Sequence, residues 1–213
     1  MELFVTILKD LLTSLYQSFW FSLLLAFMLT FFYLYCYQPQ EAGKGMKAAI
    51  KAWARKFKTS AFFRRLLLFC LFLVMTLFRT LLNRKIWSNP ISNVLGVWGI
   101  WSVSSKGVVS LTIENVENVM LTVPLIFMAL LTFGEKLVKR QSVGAYAAAA
   151  AKISFLFSAV IELLQLLLRL GTFQLSDLFY NTVGGLLGGL LVYAYTRRKE
   201  RKARKNLENN RAE

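Results

Sequence analysis

The sequence contains no histidine, only two cysteines, and 11 acidic residues against 26 lysines and arginines. Without histidine, zinc sites of the HExxH type and Ser-His-Asp triads are excluded. Cys36 and Cys70 lie inside apolar runs, where cysteine behaves as a small apolar residue. The sequence therefore predicts neither a disulfide framework nor a metal site, and we expect no cofactor.

Apolar residues are abundant: they make up 56% of the chain and give a mean hydropathy of +0.50. They are clustered into runs of about 20 residues, the length that crosses a bilayer core. Backbone groups in lipid must be hydrogen-bonded within the protein, so these runs should be α-helices. The sequence predicts an all-α, polytopic transmembrane helical bundle with five spans, at 15–37, 63–82, 116–133, 144–168 and 178–195.

The net charge of +15 indicates the orientation of the bundle. In a soluble protein this excess would suggest nucleic-acid binding. Here the basic residues flank apolar runs, so we expect contact with membrane lipids and no nucleic acid. They concentrate in segments 38–62, 136–140 and 197–205, which fall on one side of the membrane if the chain crosses five times. The positive-inside rule makes that side cytoplasmic, with the N-terminus outside and the C-terminus inside.

This topology divides the chain into three parts: an N-terminal span with a basic cytoplasmic loop (1–62), a membrane domain (63–196) and a basic cytoplasmic tail (197–213). Segment 83–115 is then external. Its apolar stretch 94–103 is too short to span and contains Gly96, Trp98, Gly99 and Trp101. It is either a re-entrant or interfacial segment, or an ordinary loop that covers the mouth of the bundle.

Polar residues recur at helical spacing near one end of four predicted spans. Ionisable groups inside a membrane are costly and usually face a bundle interior or a wet cavity. In the five-span topology all four ends are outer ends, so the sequence predicts one polar pocket that opens to the exterior. The candidate binding residues are Arg79, Glu114, Asn118, Glu162, Gln165, Arg169, Asp177 and Asn181.

A purely structural role is the alternative for each of these residues. Asp177 is placed to cap the last span, and Arg169 can extend its charge to the interface. Glu162 and Gln165 lie deeper and need partners in any case. Below Asn181, two overlapped GxxxG patterns at 184–189 predict a seam of close helix packing, with the alanine-rich stretch 145–151 as a matching surface.

The polar pattern resembles the VanZ-like family, membrane proteins associated with low-level teicoplanin resistance. Glu162, Gln165, Asp177, Asn181, Gly184 and Gly188 are similar to the family's E-x-x-Q … D-x-x-x-N-x-x-G-x-x-x-G signature, with Gly171-Thr172-Phe173 between its halves. Residues 114–124 are similar to its I-x-N-x-x-x-x-x-P element, and Arg79, Arg84, Asn89 and Pro90 fit more loosely. Many members carry an arginine shortly before the phenylalanine, where this chain has Thr172 and Arg169 is the nearest substitute.

The resemblance implies a protein of the bacterial cell membrane that lowers sensitivity to a lipoglycopeptide without remodelling its D-Ala-D-Ala target. We expect a binding or shielding protein whose pocket holds a polar group of an envelope lipid, a lipid-linked wall precursor or the antibiotic. Arg79 and Arg169 would face phosphate or carboxylate. The alternative is an intramembrane enzyme with Glu162 and Asp177 as acid and base, although no nucleophile is evident. An ion-coupled carrier is a third possibility, but paired broken helices are missing.

Overall fold

The computed structural model describes residues 2–37, 45–99, 101–103 and 109–212, which form six α-helices and one pair of short antiparallel strands. The helices are α1 (Glu2–Tyr37), α2 (Met46–Thr59), α3 (Ala61–Leu77), α4 (Ile113–Leu137), α5 (Val143–Leu168) and α6 (Leu175–Ala212). A π-helical turn, Phe78–Leu82, continues α3. The strands are β1 (Trp101–Val103) and β2 (Val109–Leu111), with Trp101 opposite Leu111.

Five helices contain a stretch long and apolar enough to cross a membrane, which confirms the predicted polytopic helical bundle. The stretches are Gln17–Tyr37, Ala61–Leu82, Glu114–Leu137, Val143–Leu168 and Leu175–Asn210. The predicted spans agree with them closely except at the ends of the chain. There α1 already begins at Glu2, and α6 runs without a break through the basic tail. The orientation of the termini stays a prediction.

The basic loop predicted at 38–62 contains a helix, α2, which the sequence analysis did not anticipate. Its residues Ala49, Trp53 and Phe57 are spaced four apart and are partly buried. Ser60 is extended and ends α2, and its hydroxyl accepts a hydrogen bond from Phe63 N at 3.2 Å, which caps α3. A single residue therefore separates α2 from α3.

Two packing seams hold the long helices together. On α1, buried small residues recur every four positions, at Ser18, Ser22, Ala26 and Thr30, on the face that turns toward α3. On α6, the glycines at 184–189 allow close approach on two sides: Gly184 and Gly188 lie against the backbone of α4, and Gly185 and Gly189 against α5. The predicted glycine seam is confirmed, with α4 as a second partner besides the alanine-rich part of α5.

Segment 83–99 covers one end of the bundle, where α3 and α5 finish and α4 and α6 begin; we call this the capped end. Backbone hydrogen bonds tie it to the α5–α6 connection: Trp87 N donates to Arg169 O, Phe173 N to Pro90 O and Leu175 N to Val94 O, each at 2.8 Å. The Asn115 side chain donates to the carbonyls of residues 97 and 99. We call the opposite end, which carries α2, the α4–α5 connection and the tail of α6, the basic end.

Candidate functional site

A polar cavity opens at the capped end, between the π-helical turn of α3 and the first turns of α4 and α6. Its empty volume, including the open space at its mouth, is about 470 Å³. It is lined by Arg79, Thr80, Asn83, Arg84, Glu114, Glu117, Asn118, Leu121 and Asp177. Eight of these nine residues are polar or charged, which is unusual for a site beside membrane-spanning helices and marks it as a candidate functional site.

An ion pair joins α3 to α4 on one wall of the cavity. Arg79 Nη2 lies 2.8 Å and Arg79 Nε 3.3 Å from Glu117 Oε2, so both guanidinium nitrogens face the same carboxylate oxygen. The Glu117 side chain is 10% exposed, and such a burial requires a charged partner. Glu117 was not among the candidates. The sequence did contain a pattern that indicates it, because Glu117 follows Glu114 by three residues and so lies on the same helical face.

The opposite wall is formed by the first turn of α6. Asp177 is buried, and the Asn118 side chain and the charge of Arg84 act on its carboxylate. Glu114 lies at the exposed rim. The cavity thus combines two guanidinium groups with three carboxylates, one of which is already engaged by Arg79. Charges of both signs remain available to a ligand.

Glu162 and Gln165 are buried beneath the cavity and do not line it. Gln165 Nε2 donates to Thr80 O at 2.7 Å, which links α5 to the π-helical turn. Glu162 Oε2 accepts a hydrogen bond from Gln174 N at 2.8 Å, which fixes the α5–α6 connection. Both deep residues have the partners that their depth requires, and these partners belong to the protein.

Asn181 also lies outside the cavity lining, at the junction of α4, α5 and α6. Its Nδ2 donates to Ser158 Oγ at 2.9 Å, and its Oδ1 accepts from Thr122 Oγ1 at 2.8 Å. A single amide therefore bridges three helices. Such bonds between membrane helices add stability and fix their register.

Arg84 lines the cavity in place of Arg169, which the sequence had suggested as a binding residue. Arg169 ends α5 in the left-handed conformation, with φ of 55°, and its exposed side chain does not line the cavity. Arg84 lines it instead and packs against Gly171, whose φ of 111° suits a residue without Cβ. The sequence showed Arg84 only within the loosest part of the family pattern. Of the eight candidates, the structure gathers Arg79, Glu114, Asn118 and Asp177 around the cavity.

Exposed apolar side chains also lie at the capped end of the bundle. They belong to segment 83–99 and β1 and comprise Ile86, Trp87, Ile91, Leu95, Val97, Trp98 and Trp101. In the apolar stretch 94–103, of which Ile100 lies outside the described residues, residues 94–99 cover the end of the bundle, and the large apolar side chains among 94–99 and 101 are exposed. Its backbone is fixed by Asn115 and by the hydroxyl of Tyr180, which accepts from Gly99 N. We call this set of side chains the apolar collar.

Among the described residues, no three acidic or sulfur side chains are grouped as a bound metal ion would need.

Comparison with known proteins gives one result on the family. A family model described as VanZ/LLP1 matches residues 19–196, which is most of the chain, so the chain belongs to this family. No curated protein and no solved structure matches it.

Proposed function

We propose that this VanZ/LLP1 protein binds the phosphate-bearing polar group of an envelope lipid in its cavity and thereby lowers the sensitivity of a bacterial cell to teicoplanin-type lipoglycopeptides. The lipid is a phospholipid or a lipid-linked wall precursor, since both present a phosphate at the membrane surface. The observation that carries the proposal is that the exposed Arg84 lines a cavity at the end of the membrane-spanning helices. The family membership supports the link to resistance.

The two arginines of the cavity have different tasks. Arg79 is held by Glu117 at 2.8 Å and so braces α3 against α4. Arg84 makes no hydrogen bond within the described part of the chain, although its charge acts on Asp177. A guanidinium presents paired donors that match two phosphate oxygens. Arg84 is therefore the group that receives the anionic part of the ligand.

The two carboxylates that Arg79 does not engage narrow the choice of ligand further. Glu114 and Asp177 line the same cavity as Arg84, and a ligand with phosphate alone would meet their negative charges. A polar group with an ammonium beside its phosphate satisfies both signs, because each charge then faces its opposite. We therefore favour an amine-bearing lipid headgroup, such as an aminophospholipid, over a purely anionic one.

The apolar collar supports a ligand that comes from the membrane. Tryptophan is enriched where membrane helices meet the headgroup layer, and Trp87, Trp98 and Trp101 are all about half exposed at this end. Since the basic residues gather at the other end, the positive-inside rule supports an outward-facing cavity. A lipid of the outer surface could then enter from the plane of the membrane, without passing through water.

The test is to extract the protein with its surrounding lipid and to quantify the retained lipids by mass spectrometry. We expect an amine-bearing phospholipid or a lipid-linked precursor to be enriched over the bulk membrane. Arg84→Gln removes a charge-assisted contact worth about 1.5–3 kcal/mol, so enrichment should fall roughly tenfold or more. Lys85→Gln is the matched control, since it removes the same charge from the next residue, which does not line the cavity.

The masses of the retained species distinguish a phospholipid from a wall precursor, and added teicoplanin tests the antibiotic as ligand. Equal lipid composition in wild type and Arg84→Gln would contradict the proposal, as would enrichment of teicoplanin alone. Conversion of the retained lipid into a new species by wild type, but not by Glu162→Gln, would favour the enzyme hypothesis instead.

A further inference from the structure

Helix α2 is docked on α1 and α3 at the basic end, far from the cavity. Trp53 Nε1 donates to Thr30 Oγ1 of α1 at 3.1 Å, and the Trp53 ring lies 4.6 Å from the ring of Phe27. On the α3 side the Trp53 and Phe63 rings are 5.6 Å apart. Arg64 of α3 donates to the carbonyls of residues 57 and 58, which fixes the end of α2. The position of α2 is thus set by specific contacts.

These contacts place α2 at the depth of a headgroup layer. Thr30 lies within the membrane-spanning stretch Gln17–Tyr37, and Phe63 lies two residues inside Ala61–Leu82. A helix that touches both spans near their ends cannot lie clear of the membrane. Amphipathic helices that rest in the interface bury their apolar face about 5–10 Å into the boundary of headgroups and acyl chains.

The outer face of α2 carries a stripe of positive charge. Lys47, Lys51, Arg55 and Lys58 are spaced four, four and three residues apart, so they share one face, and all four are exposed. No Asp or Glu occurs between residues 45 and 65. The side chains of the stripe make no hydrogen bond or ion pair with the described part of the chain. Their charge is left for an external partner.

Two apolar side chains of α2 remain uncovered next to this stripe. Met46 and Ile50 are 72% and 50% exposed, although they lie on the side of α2 that carries Trp53 and Phe57. Acyl chains would cover Met46 and Ile50 if α2 lay in the interface, and headgroups would then meet the stripe. A partner that offered only acidic groups would neutralise the lysines but would leave the apolar side chains in water.

We propose that α2 is an interfacial helix whose basic stripe binds anionic phospholipids and concentrates them at the basic end of the protein. The proposal does not depend on the function of the cavity. Each lysine or arginine near an anionic membrane surface raises the affinity about fivefold. Removal of three charges from the stripe should therefore reduce its affinity for anionic lipid by on the order of a hundredfold.

The experiment uses the full chain in vesicles with Trp53 as the single tryptophan, the other four being replaced by Phe. Brominated phosphatidylglycerol and brominated phosphatidylcholine are added in turn as quenchers of Trp53 fluorescence. We expect the anionic quencher to act at a much lower mole fraction than the zwitterionic one. The preference should vanish in the triple variant Lys47→Gln, Lys51→Gln, Arg55→Gln.

The matched control is the triple variant Lys199→Gln, Lys202→Gln, Lys205→Gln, which removes the same charge from the exposed part of α6. It should keep the preference for the anionic quencher. Equal quenching by both lipids in the parent protein would overturn the proposal, and so would an equal loss in the two triple variants. Retention of the Trp53 emission wavelength in phosphatidylcholine vesicles verifies that α2 stays docked in the variants.

Discussion

Replacement of Gly188 by alanine tests whether the seam between α6 and α4 determines the stability of the bundle. A Cβ at this position would lie 2.6 Å from Val123 O and 3.1 Å from Phe127 N. Both atoms belong to the backbone of α4, so neither can rotate away. Ordinary contacts begin near 3.4 Å, so the two helices must separate by about 0.8 Å or bend.

The expected cost follows from two opposing effects. Overpacking in a well-packed interior costs about 1–3 kcal/mol, whereas alanine gains up to about 1 kcal/mol over glycine in helix propensity. The net effect of Gly188→Ala should therefore lie between nearly neutral and a loss of about 2 kcal/mol. Gly134→Ala is the matched control: it lies on α4 with no atom within 4 Å of its would-be Cβ, so only the propensity gain applies.

The assay is thermal unfolding of the purified protein in one detergent. The measured quantity is the fraction of protein that stays monodisperse at each temperature. For a chain of this size, each kcal/mol shifts the midpoint by about 2–4 °C. Because both variants gain the same helix propensity, they differ by the overpacking cost, and Gly188→Ala should melt roughly 2–12 °C below Gly134→Ala. Gly188→Leu should aggregate on extraction. If the melting temperature of Gly188→Ala were equal to or higher than that of Gly134→Ala, close packing at this seam could not be what stabilises the bundle.

The remaining predictions concern orientation and the polar end of the bundle. In a cysteine-free background, cysteines at Lys51 and Lys139 should react with an impermeant thiol reagent only from the cytoplasm, and a cysteine at Thr172 only from outside; the reverse pattern would refute the topology. Asp177→Asn should abolish teicoplanin resistance while expression and melting temperature stay near wild type, because the amide keeps the shape of this cavity residue and removes its charge. Full resistance in Asp177→Asn would mean that this carboxylate has only a structural role.

The number of spans and their approximate bounds could be predicted, because a bilayer requires apolar runs of about 20 residues and a helical backbone. The bounds of the first and last helices were harder to predict. Residues 2–14 and 197–212 carry charges and have no uniform apolar run, yet both continue a membrane helix. Helix propagation costs little once a helix is nucleated, so a span can extend into water beyond the limit that hydropathy detects.

Helix α2 was missed because hydropathy averages its two faces. Its lysines and arginines dominate the composition of 46–59, while Trp53 and Phe57 occupy only a narrow stripe. The signal was the spacing of these aromatic residues, which matches one face of a helix. Its partners on α1, Phe27 and Thr30, lie more than 20 residues earlier, so no local pattern could show the contact.

The depth of the polar residues could be predicted, but their assignment to cavity or scaffold could not. Helical spacing placed Glu162, Gln165 and Asn181 correctly near the capped end. Whether such a side chain faces a cavity or a neighbouring helix depends on tertiary distances, such as the 2.7 Å between Gln165 Nε2 and Thr80 O. Arg84 was undervalued for a related reason, since it lies in irregular structure, where periodicity gives no direction.

The π-helical turn at the end of α3 makes the cavity sensitive to chain length as well as to residue identity. Asn83 N donates to Phe78 O, five residues earlier, so this turn holds one residue more than an α-helical turn. It corresponds in length to one residue inserted into an α-helix without unfolding it. Loss of Leu81 would restore α-helical winding and rotate the following residues by about 100°. Arg84 would then leave the cavity although no cavity side chain had been substituted.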